Sequence, residues 1–246
     1  DTINLYRSGS LATKPVLSPE ALSLIDSISP DEELRRILEY RTQELIEYQN
    51  QSFAKEYIDF VGNIYETEKK TRSSSDLSQN VAKYLFKLMA TKDEYEVARL
   101  SLKAELDSAI SQEFGKSAKI NYMLHPPFLK AMENIPVLNM LPGVKSKLAL
   151  GSWFKIFYVM LKNMKFLRGT PLDFMAWFSS DVRKADKKAL NHYKSILTKN
   201  LVEIGNGKYQ DLKDFSVLPD IIRGYEEVRL ETMTEYYQKS DNLFKS

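Results

Sequence analysis

Residue types that carry acid–base or metal chemistry are scarce in this chain of 246 residues. It has two histidines, His125 and His192, and no cysteine. The two histidines lie too far apart to form the H-E-x-x-H spacing that places two metal ligands on one helix face. The lack of cysteine excludes disulfides, cysteine nucleophiles and cysteine-held iron–sulfur clusters from the chain. We therefore predict no catalytic residue, no metal site and no cofactor held by this chain.

Each histidine has a simpler interpretation than catalysis. His192 stands among lysines in a charged helical stretch, which predicts a position facing solvent. His125 is followed directly by Pro126-Pro127, where a structural hydrogen bond is the expected role. Neighbouring carboxylates such as Asp93-Glu94 point about 100° apart on a helix, so they do not converge on a substrate.

Two arginine–glycine pairs at predicted helix boundaries suggest anion binding. The sequence contains neither G-x-G-x-x-G nor the P-loop pattern, so the common glycine-rich phosphate cradles are excluded. Arg168-Gly169-Thr170 and Arg223-Gly224 nevertheless combine a guanidinium fork with backbone N–H groups, which suits phosphate or carboxylate. The alternative is that each glycine ends a helix and each arginine interacts favourably with the helix dipole.

The elements that must position these residues are predicted to be helices. Ser18-Pro19 and Ser29-Pro30 are typical helix starts, and Thr91 to Glu94 fits a capping box. Apolar residues at helical spacing predict one long helix from Pro30 to Lys70. Asp181 is predicted to cap a later helix, and the hydrophobic window Leu148–Leu167 to form a buried or half-buried one, because lysines interrupt it.

Composition and pattern together favour an all-α fold. Strand signals are few, so we predict an irregular multi-helix bundle with at most a short extended segment near 119–124. We expect an N-terminal lead with a short helix over 1–29 and one helical domain over 30–246. With 35 basic and 33 acidic residues, nucleic acid is not expected as a partner. No membrane span is expected, and the protein is expected to be cytoplasmic. Because no signal-like stretch follows Asp1, we interpret the start as a fragment boundary.

Several segments resemble a known family in order and separation. The strongest is Asn80–Leu100, NVAKYLFKLMATKDEYEVARL, which resembles the C-terminal domain of unknown function of indolepyruvate:ferredoxin oxidoreductases. The likeness covers roughly residues 35–230. Its other parts are Tyr48–Asn50, Ala54–Tyr57, the Pro126-Pro127 turn, the segment beginning at Trp153, Leu167–Thr170 with Asp173, and Ile222–Tyr225. His125 abuts the Pro-Pro turn, unlike the earlier histidine of the family, so no histidine role carries over.

The resemblance implies membership of an enzyme that oxidatively decarboxylates aryl-pyruvates and passes electrons to ferredoxin. It implies thiamine diphosphate, coenzyme A and iron–sulfur clusters in the parent enzyme, held by other domains. The chain itself is expected to be an accessory domain that supports assembly or the substrate and coenzyme A entrance. Its expected partners are the catalytic domains or subunits of that oxidoreductase, with ferredoxin as an indirect partner.

Two alternatives remain open from the sequence. One is an anion-binding module for coenzyme A or the 2-oxoacid, because basic residues fall inside the matching segments. Its candidate anion or interface residues are Lys92, Arg99, Arg168, Thr170 and Arg223. The other is an independent adaptor in which the long amphipathic helix from Pro30 to Lys70 binds a partner groove or forms a dimer seam.

Overall fold

A computed structural model describes residues 16–115, 122–124, 148–150, 154–173, 175–176 and 180–244. The predicted all-α, multi-helix fold is confirmed in these ranges. The α-helices run in the order α1 Pro19–Asp26, α2 Glu32–Tyr48, α3 Gln51–Thr71, α4 Asp76–Met89, α5 Glu94–Ser101, α6 Ala104–Phe114, α7 Lys155–Asn163, α8 Ser180–Leu201, α9 Tyr209–Val217 and α10 Glu226–Leu243. Short 3₁₀ helices follow α7, α8 and α9 at Met164–Leu167, Ile204–Asn206 and Leu218–Ile221.

The chain divides into two compact units. The described residues up to Ala90 and from Ala185 onward form the first unit, and those between Thr91 and Lys184 form the second. The expectation of one helical domain over residues 30–246 stays a prediction. The short helix expected within the N-terminal lead over 1–29 is α1, which packs on α2 and α3 within the first unit.

Apolar side chains from most helices of the first unit form its core. The apolar stripes of α2, α3 and α4 pack on one another, and α9 packs on α4. The largest fully buried side chains there are aromatic and aliphatic: Tyr57, Tyr193, Tyr236, Phe215, Ile25, Leu34, Leu38, Leu45, Ile58, Ile64 and Leu77. Burial of aromatic and branched side chains supplies the main free energy that holds such helices together.

In the second unit, α5 packs against α7. The buried cluster between these helices comprises Tyr95, Ala98, Phe154, Tyr158, Leu161 and Met175. The unit also contains two three-residue antiparallel strands, β1 Tyr122–Leu124 and β2 Leu148–Leu150, in which Met123 pairs with Ala149. Strand β1 confirms the extended segment predicted near 119–124, whereas β2 was not predicted.

The prediction of one long helix from Pro30 to Lys70 is wrong, because the chain forms two helices there. Asn50 lies between them in an extended conformation, and its side chain accepts a hydrogen bond from the Phe53 N–H at 2.9 Å. An asparagine in this geometry satisfies a free N–H at the start of a new helix, so it ends α2 and begins α3.

Three predicted helix starts also differ, each by two residues. Asp31, rather than Ser29, caps α2 by accepting the Leu34 N–H. Asp93, rather than Thr91, caps α5 by accepting the Glu96 N–H. Asp181 lies inside α8 and does not precede it. At each of the first two starts an aspartate nearer the helix replaces the predicted hydroxyl, since a carboxylate accepts the N–H and complements the helix dipole. Ser18 caps α1 as predicted.

The hydrophobic window Leu148–Leu167 is not one helix. It begins with β2, and α7 starts only at Lys155 and passes into the 3₁₀ turn at Met164. Helix α7 is half-buried, in agreement with the expectation for this window: Tyr158 and Leu161 are buried, and Ile156 on the opposite face is exposed. None of the described helices combines the length and apolar composition needed to cross a bilayer.

Candidate functional site: a charge network in the second unit

Arg168 and Asp93 form the centre of a charge network in the second unit. The Arg168 Nη2 donates to Asp93 Oδ1 at 2.9 Å, and its Nε donates to Oδ2, so the pair is bidentate. Both side chains are largely buried, with 12 % of Arg168 and 6 % of Asp93 exposed. Asp93 Oδ1 also accepts the Glu96 N–H that starts α5. One carboxylate therefore caps a helix and binds a guanidinium 75 residues away in sequence.

Asp173 makes a second junction between the same two segments. Its Oδ1 accepts the Tyr95 hydroxyl at 3.0 Å, and its Oδ2 accepts the Gly169 N–H at 3.0 Å. The φ of Gly169 is +77°, a left-handed conformation that glycine adopts at low cost, and it directs this N–H at the carboxylate. Burial raises the pKa of the Tyr95 hydroxyl, and its bond to the Asp173 carboxylate raises it further.

Arg183 extends the network to the N-terminal turn of α8. It donates to Asp173 Oδ2 at 3.0 Å and to Glu94 Oε2 at 2.6 Å. Burial raises the pKa of the Glu94 carboxyl, although the Arg183 charge acts in the opposite direction. Sequence reasoning did not single out Arg183, Asp173 or Tyr95 as a group, because only the tertiary fold brings them together.

The predicted anion residues of the second unit have internal partners. Arg99 is buried and forms a bidentate pair with Glu96, with both N···O distances 2.8 Å. Arg168 pairs with Asp93 as above. Thr170 is exposed, and its hydroxyl donates to the Leu167 carbonyl at 2.7 Å. Lys92 is exposed at the start of α5. The positive charges of both arginines are thus matched by carboxylates of the same unit.

Arg223 lies in the first unit, apart in sequence from the other candidates. Its Nε donates to the Asp220 carbonyl at 2.8 Å, and its Nη2 pairs with the Asp220 carboxylate. Gly224 follows with a φ of +80°. The arrangement fits a glycine stop after the 3₁₀ turn Leu218–Ile221, in which the arginine binds the end of that turn.

The histidine expectations have different outcomes. His125 lies outside the described residues. His192 was predicted to face solvent, which is wrong: it is half-buried, with Nδ1 3.1 Å from the Tyr236 hydroxyl and its ring edge-on to Tyr237. From α8 it contacts Tyr236 and Tyr237 of α10, and Lys188, one turn earlier on the same face, also lies over the Tyr237 ring. Burial lowers the pKa of His192.

Glu68 of the first unit is a buried charged residue that the sequence did not reveal. Its side chain is fully buried, and its two oxygens accept the N–H groups of Leu77 and Ser78 at 2.9 Å each. The hydroxyls of Ser78 and Tyr209 also donate to it. A carboxylate from α3 thus caps the N-terminus of α4, where the preceding Ser75 makes no side-chain cap.

These arrangements are suited to holding segments together. Each described carboxylate of the network accepts hydrogen bonds from guanidinium, hydroxyl or backbone N–H groups of its own unit, which is how buried charges are stabilised in a fold. Among the described residues, no group of three or more histidine or carboxylate side chains is gathered in a way that could bind a metal ion.

Comparison with known proteins gives one result. Residues 34–242 match the model of a family described as a family of unknown function, DUF6537. No curated protein and no solved structure matches the chain. Because the family match spans most of the sequence, including both junctions of the charge network, the chain belongs to this family of unknown function, DUF6537.

Proposed function

We propose that the chain is a non-catalytic assembly domain of a 2-oxoacid:ferredoxin oxidoreductase of the indolepyruvate type. In this proposal the decarboxylation of an aryl-pyruvate and the transfer of electrons to ferredoxin take place in other domains. The present chain packs on those domains and supports their association or the substrate and coenzyme A entrance. The proposal includes a cytoplasmic location.

The observation that carries the proposal is how the segments of the resemblance meet. The segment around Asp93 and Tyr95 and the segment around Arg168 and Asp173 lie far apart in sequence, and their charged side chains bind one another. Residues that bind one another in this way stabilise a particular fold. A catalytic constellation would instead direct polar groups toward a space that a substrate can enter. The resemblance and the geometry therefore support a scaffold role for the same residues.

The iron–sulfur clusters implied for the parent enzyme do not fit this chain. Such clusters are held by cysteine thiolates, and the sequence contains no cysteine. Thiamine diphosphate and coenzyme A are likewise assigned to the partner domains, and no step of the reaction is assigned to a residue of this chain.

The two alternatives receive less support. An anion site for coenzyme A or the 2-oxoacid needs accessible positive charge, whereas Arg99, Arg168 and Arg223 are each paired with a carboxylate. The adaptor hypothesis required one long helix from Pro30 to Lys70. That stretch is two helices whose apolar faces are buried in the core of the first unit.

The test is reconstitution of the enzyme from separate parts. The catalytic polypeptide of such an oxidoreductase is prepared without this domain, and the 246-residue chain is added at micromolar concentration. We expect a stable complex by sedimentation velocity and a gain in indolepyruvate-dependent ferredoxin reduction. If the two polypeptides do not associate, the assembly role is wrong.

A second measurement separates the anion-binding alternative. Isothermal titration of the chain alone with coenzyme A and with indolepyruvate is expected to give no heat of binding. A saturable signal that is lost in Arg168→Met would instead favour a ligand site at the charge network. Glu66→Ala, which alters an exposed carboxylate of the first unit, serves as the matched control.

A further inference from the structure

Helix α7 has apolar side chains on two opposite faces. The inner face, with Phe154, Tyr158 and Leu161, is buried in the second unit. On the outer face, Ile156 is 78 % exposed, and Val159 and Met160 are about half exposed at 48 % and 46 %. A helix that is apolar on both faces is normally covered on both.

The exposed residues follow one line along the helix. Positions 156, 159, 160 and 163 repeat at i, i+3, i+4 and i+7, which on a helix of about 100° per residue places them on one face. The 3₁₀ turn that follows has three residues per turn, so Phe166 continues the line beyond Asn163, and it is 67 % exposed. We call Ile156, Val159, Met160 and Phe166 the outer stripe.

Positive charge borders the outer stripe. Lys155 and Lys162 are seven residues apart and therefore lie on the same edge of α7. Among the described residues 154–172 there is no aspartate or glutamate, whereas this segment contains Lys155, Lys162, Lys165 and Arg168. Among these, Arg168 is paired with Asp93. The segment that carries the stripe is thus basic, in a chain whose charges nearly balance overall.

We propose that the outer stripe is the docking surface for an acidic protein surface with an apolar centre. The inference rests on the proposed function, and it assigns the partner as an acidic face of a catalytic domain of the oxidoreductase. Apolar side chains at the centre of an interface and charges at its rim are the usual arrangement, and opposite charge on the partner directs association.

Two other occupants fit the same surface less well. A symmetric dimer of this chain would bring Lys162 of both copies near the same seam, and like charges at an interface are unfavourable. A helix that lies on a membrane surface opposes its apolar face with a charged one. The face of α7 opposite the stripe is instead apolar and packed on α5.

The experiment uses the full chain and the catalytic polypeptide described above. Ile156→Glu/Met160→Glu places two carboxylates in the centre of the stripe, and we expect the affinity to fall by about tenfold or more. Lys162→Glu is expected to weaken binding by a smaller factor and to reduce its sensitivity to salt. Val202→Glu, at an exposed apolar position of the first unit, is the matched control and should leave the affinity unchanged. Circular dichroism and thermal unfolding verify that each variant is folded.

The outcomes separate this inference from the proposed function. If wild-type chain binds the catalytic polypeptide and the double variant binds equally well, the docking surface is wrong while the assembly role stands. If wild-type chain does not bind, the assembly role fails and this partner with it. The chain is also measured alone and with vesicles of phosphatidylcholine and phosphatidylglycerol. Self-association or vesicle binding that the double variant abolishes would assign the stripe to a second copy or to a lipid surface, and would overturn the proposal.

Discussion

Glu68 of the first unit and Asp93 and Asp173 of the second are buried carboxylates that are stabilised in different ways. In the first unit, Glu68 is surrounded by neutral donors, which are two backbone N–H groups and two hydroxyls. In the second unit, Asp93 and Asp173 bind guanidinium groups as well as neutral donors. A carboxylate at a helix N-terminus needs no cation, because the helix end provides positive potential and free N–H groups. At Asp93 the guanidinium of Arg168 binds both carboxylate oxygens, which makes a strong charge-assisted pair.

The comparison also shows which interactions join distant parts of the chain. In the first unit the helices meet through apolar packing, such as the stacked rings of Tyr193 and Phe215, and also through charged pairs such as Arg229 with the buried Asp186. In the second unit the pair Arg168–Asp93 and the bond from Tyr95 to Asp173 connect segments 75 and 78 residues apart. Asp93 of the second unit both caps α5 and binds Arg168, so loss of this one carboxylate should cost more than loss of Glu68 in the first unit.

The largest effect is expected from Asp93→Ala. The substitution removes the cap of α5 and leaves the largely buried Arg168 without its carboxylate. Removing one partner of a buried pair costs about 3–5 kcal/mol. Native-state hydrogen exchange should show that amount as a loss of protection in α5 and α7, with the amides of α2–α4 unchanged.

Two controls define the Asp93 result. Asp93→Asn keeps an acceptor for the Glu96 N–H and loses the charge, so it should cost less than the alanine variant. Asp181→Ala removes an exposed carboxylate of the same unit and should change stability by less than about 0.5 kcal/mol. Unchanged protection of α5 in Asp93→Ala would show that the ion pair does not hold the second unit together.

The next effect is expected in the first unit from Glu68→Ala. It leaves the N–H groups of Leu77 and Ser78 and the Tyr209 hydroxyl without their acceptor, and unsatisfied buried donors cost about 1–3 kcal/mol each. Partial relaxation and water entry reduce the sum, so we expect a total of about 2–4 kcal/mol, observed by chemical unfolding. Glu68→Gln should cost less because it retains one acceptor. Glu66→Ala, exposed on the same helix, is the control.

Sequence patterns were sufficient for the helical fold class, but not for every helix boundary and not for these charges. Apolar spacing predicted helical stretches because it reports which face of a helix is buried. The apolar spacing continues without interruption across Asn50, because two consecutive helices can have apolar residues in the same helical register. Only the asparagine itself marks the break between them. The missed strand β2 is three residues long, and a run of apolar residues is equally compatible with a helix.

The candidate site was predictable only in part. Arg168 was selected from its glycine neighbour, but its partner Asp93 is far away in sequence and no local pattern indicates the pair. Glu68 stands in a charged stretch at the end of an amphipathic helix, where a glutamate is normally expected in solvent. Its burial depends on the approach of the N-terminus of α4, which is a tertiary event.

A smaller effect distinguishes packing from backbone conformation. A Cβ added at Gly62 would lie 2.6 Å from Ile28 Cγ2, so Gly62→Ala should overpack the contact between α3 and the turn after α1, and cost about 1–3 kcal/mol. Gly169 in the second unit has open space around it, and its φ of +77° alone makes Gly169→Ala unfavourable by about 1–2 kcal/mol. Ile28→Val should recover part of the Gly62→Ala loss in thermal unfolding. The absence of any recovery would mean that close packing is not the cause.

The smallest effect is a pH dependence of opposite sign in the two units. Burial lowers the pKa of His192, so the unfolded chain binds the proton more tightly. This term stabilises the first unit fully above the unfolded-state pKa of about 6.5, and it is lost as the pH falls toward the lowered folded-state pKa. Burial raises the pKa of Glu94, so its term is fully present below the unfolded-state pKa of about 4.3 and is lost as the pH rises through the raised value.

Hydrogen exchange of each unit across this pH range tests the two signs separately. In the wild type, the amides of the first unit should show a rise of stability with pH that His192→Gln removes. The amides of the second unit should show a fall of stability with pH that Glu94→Gln removes. Each difference isolates one group, since the remaining carboxylates are common to the variant and the wild type. If Glu94→Gln removes a rise of stability with pH instead of a fall, the attraction of Arg183 outweighs the burial of Glu94, and the carboxyl is stabilised in its charged form.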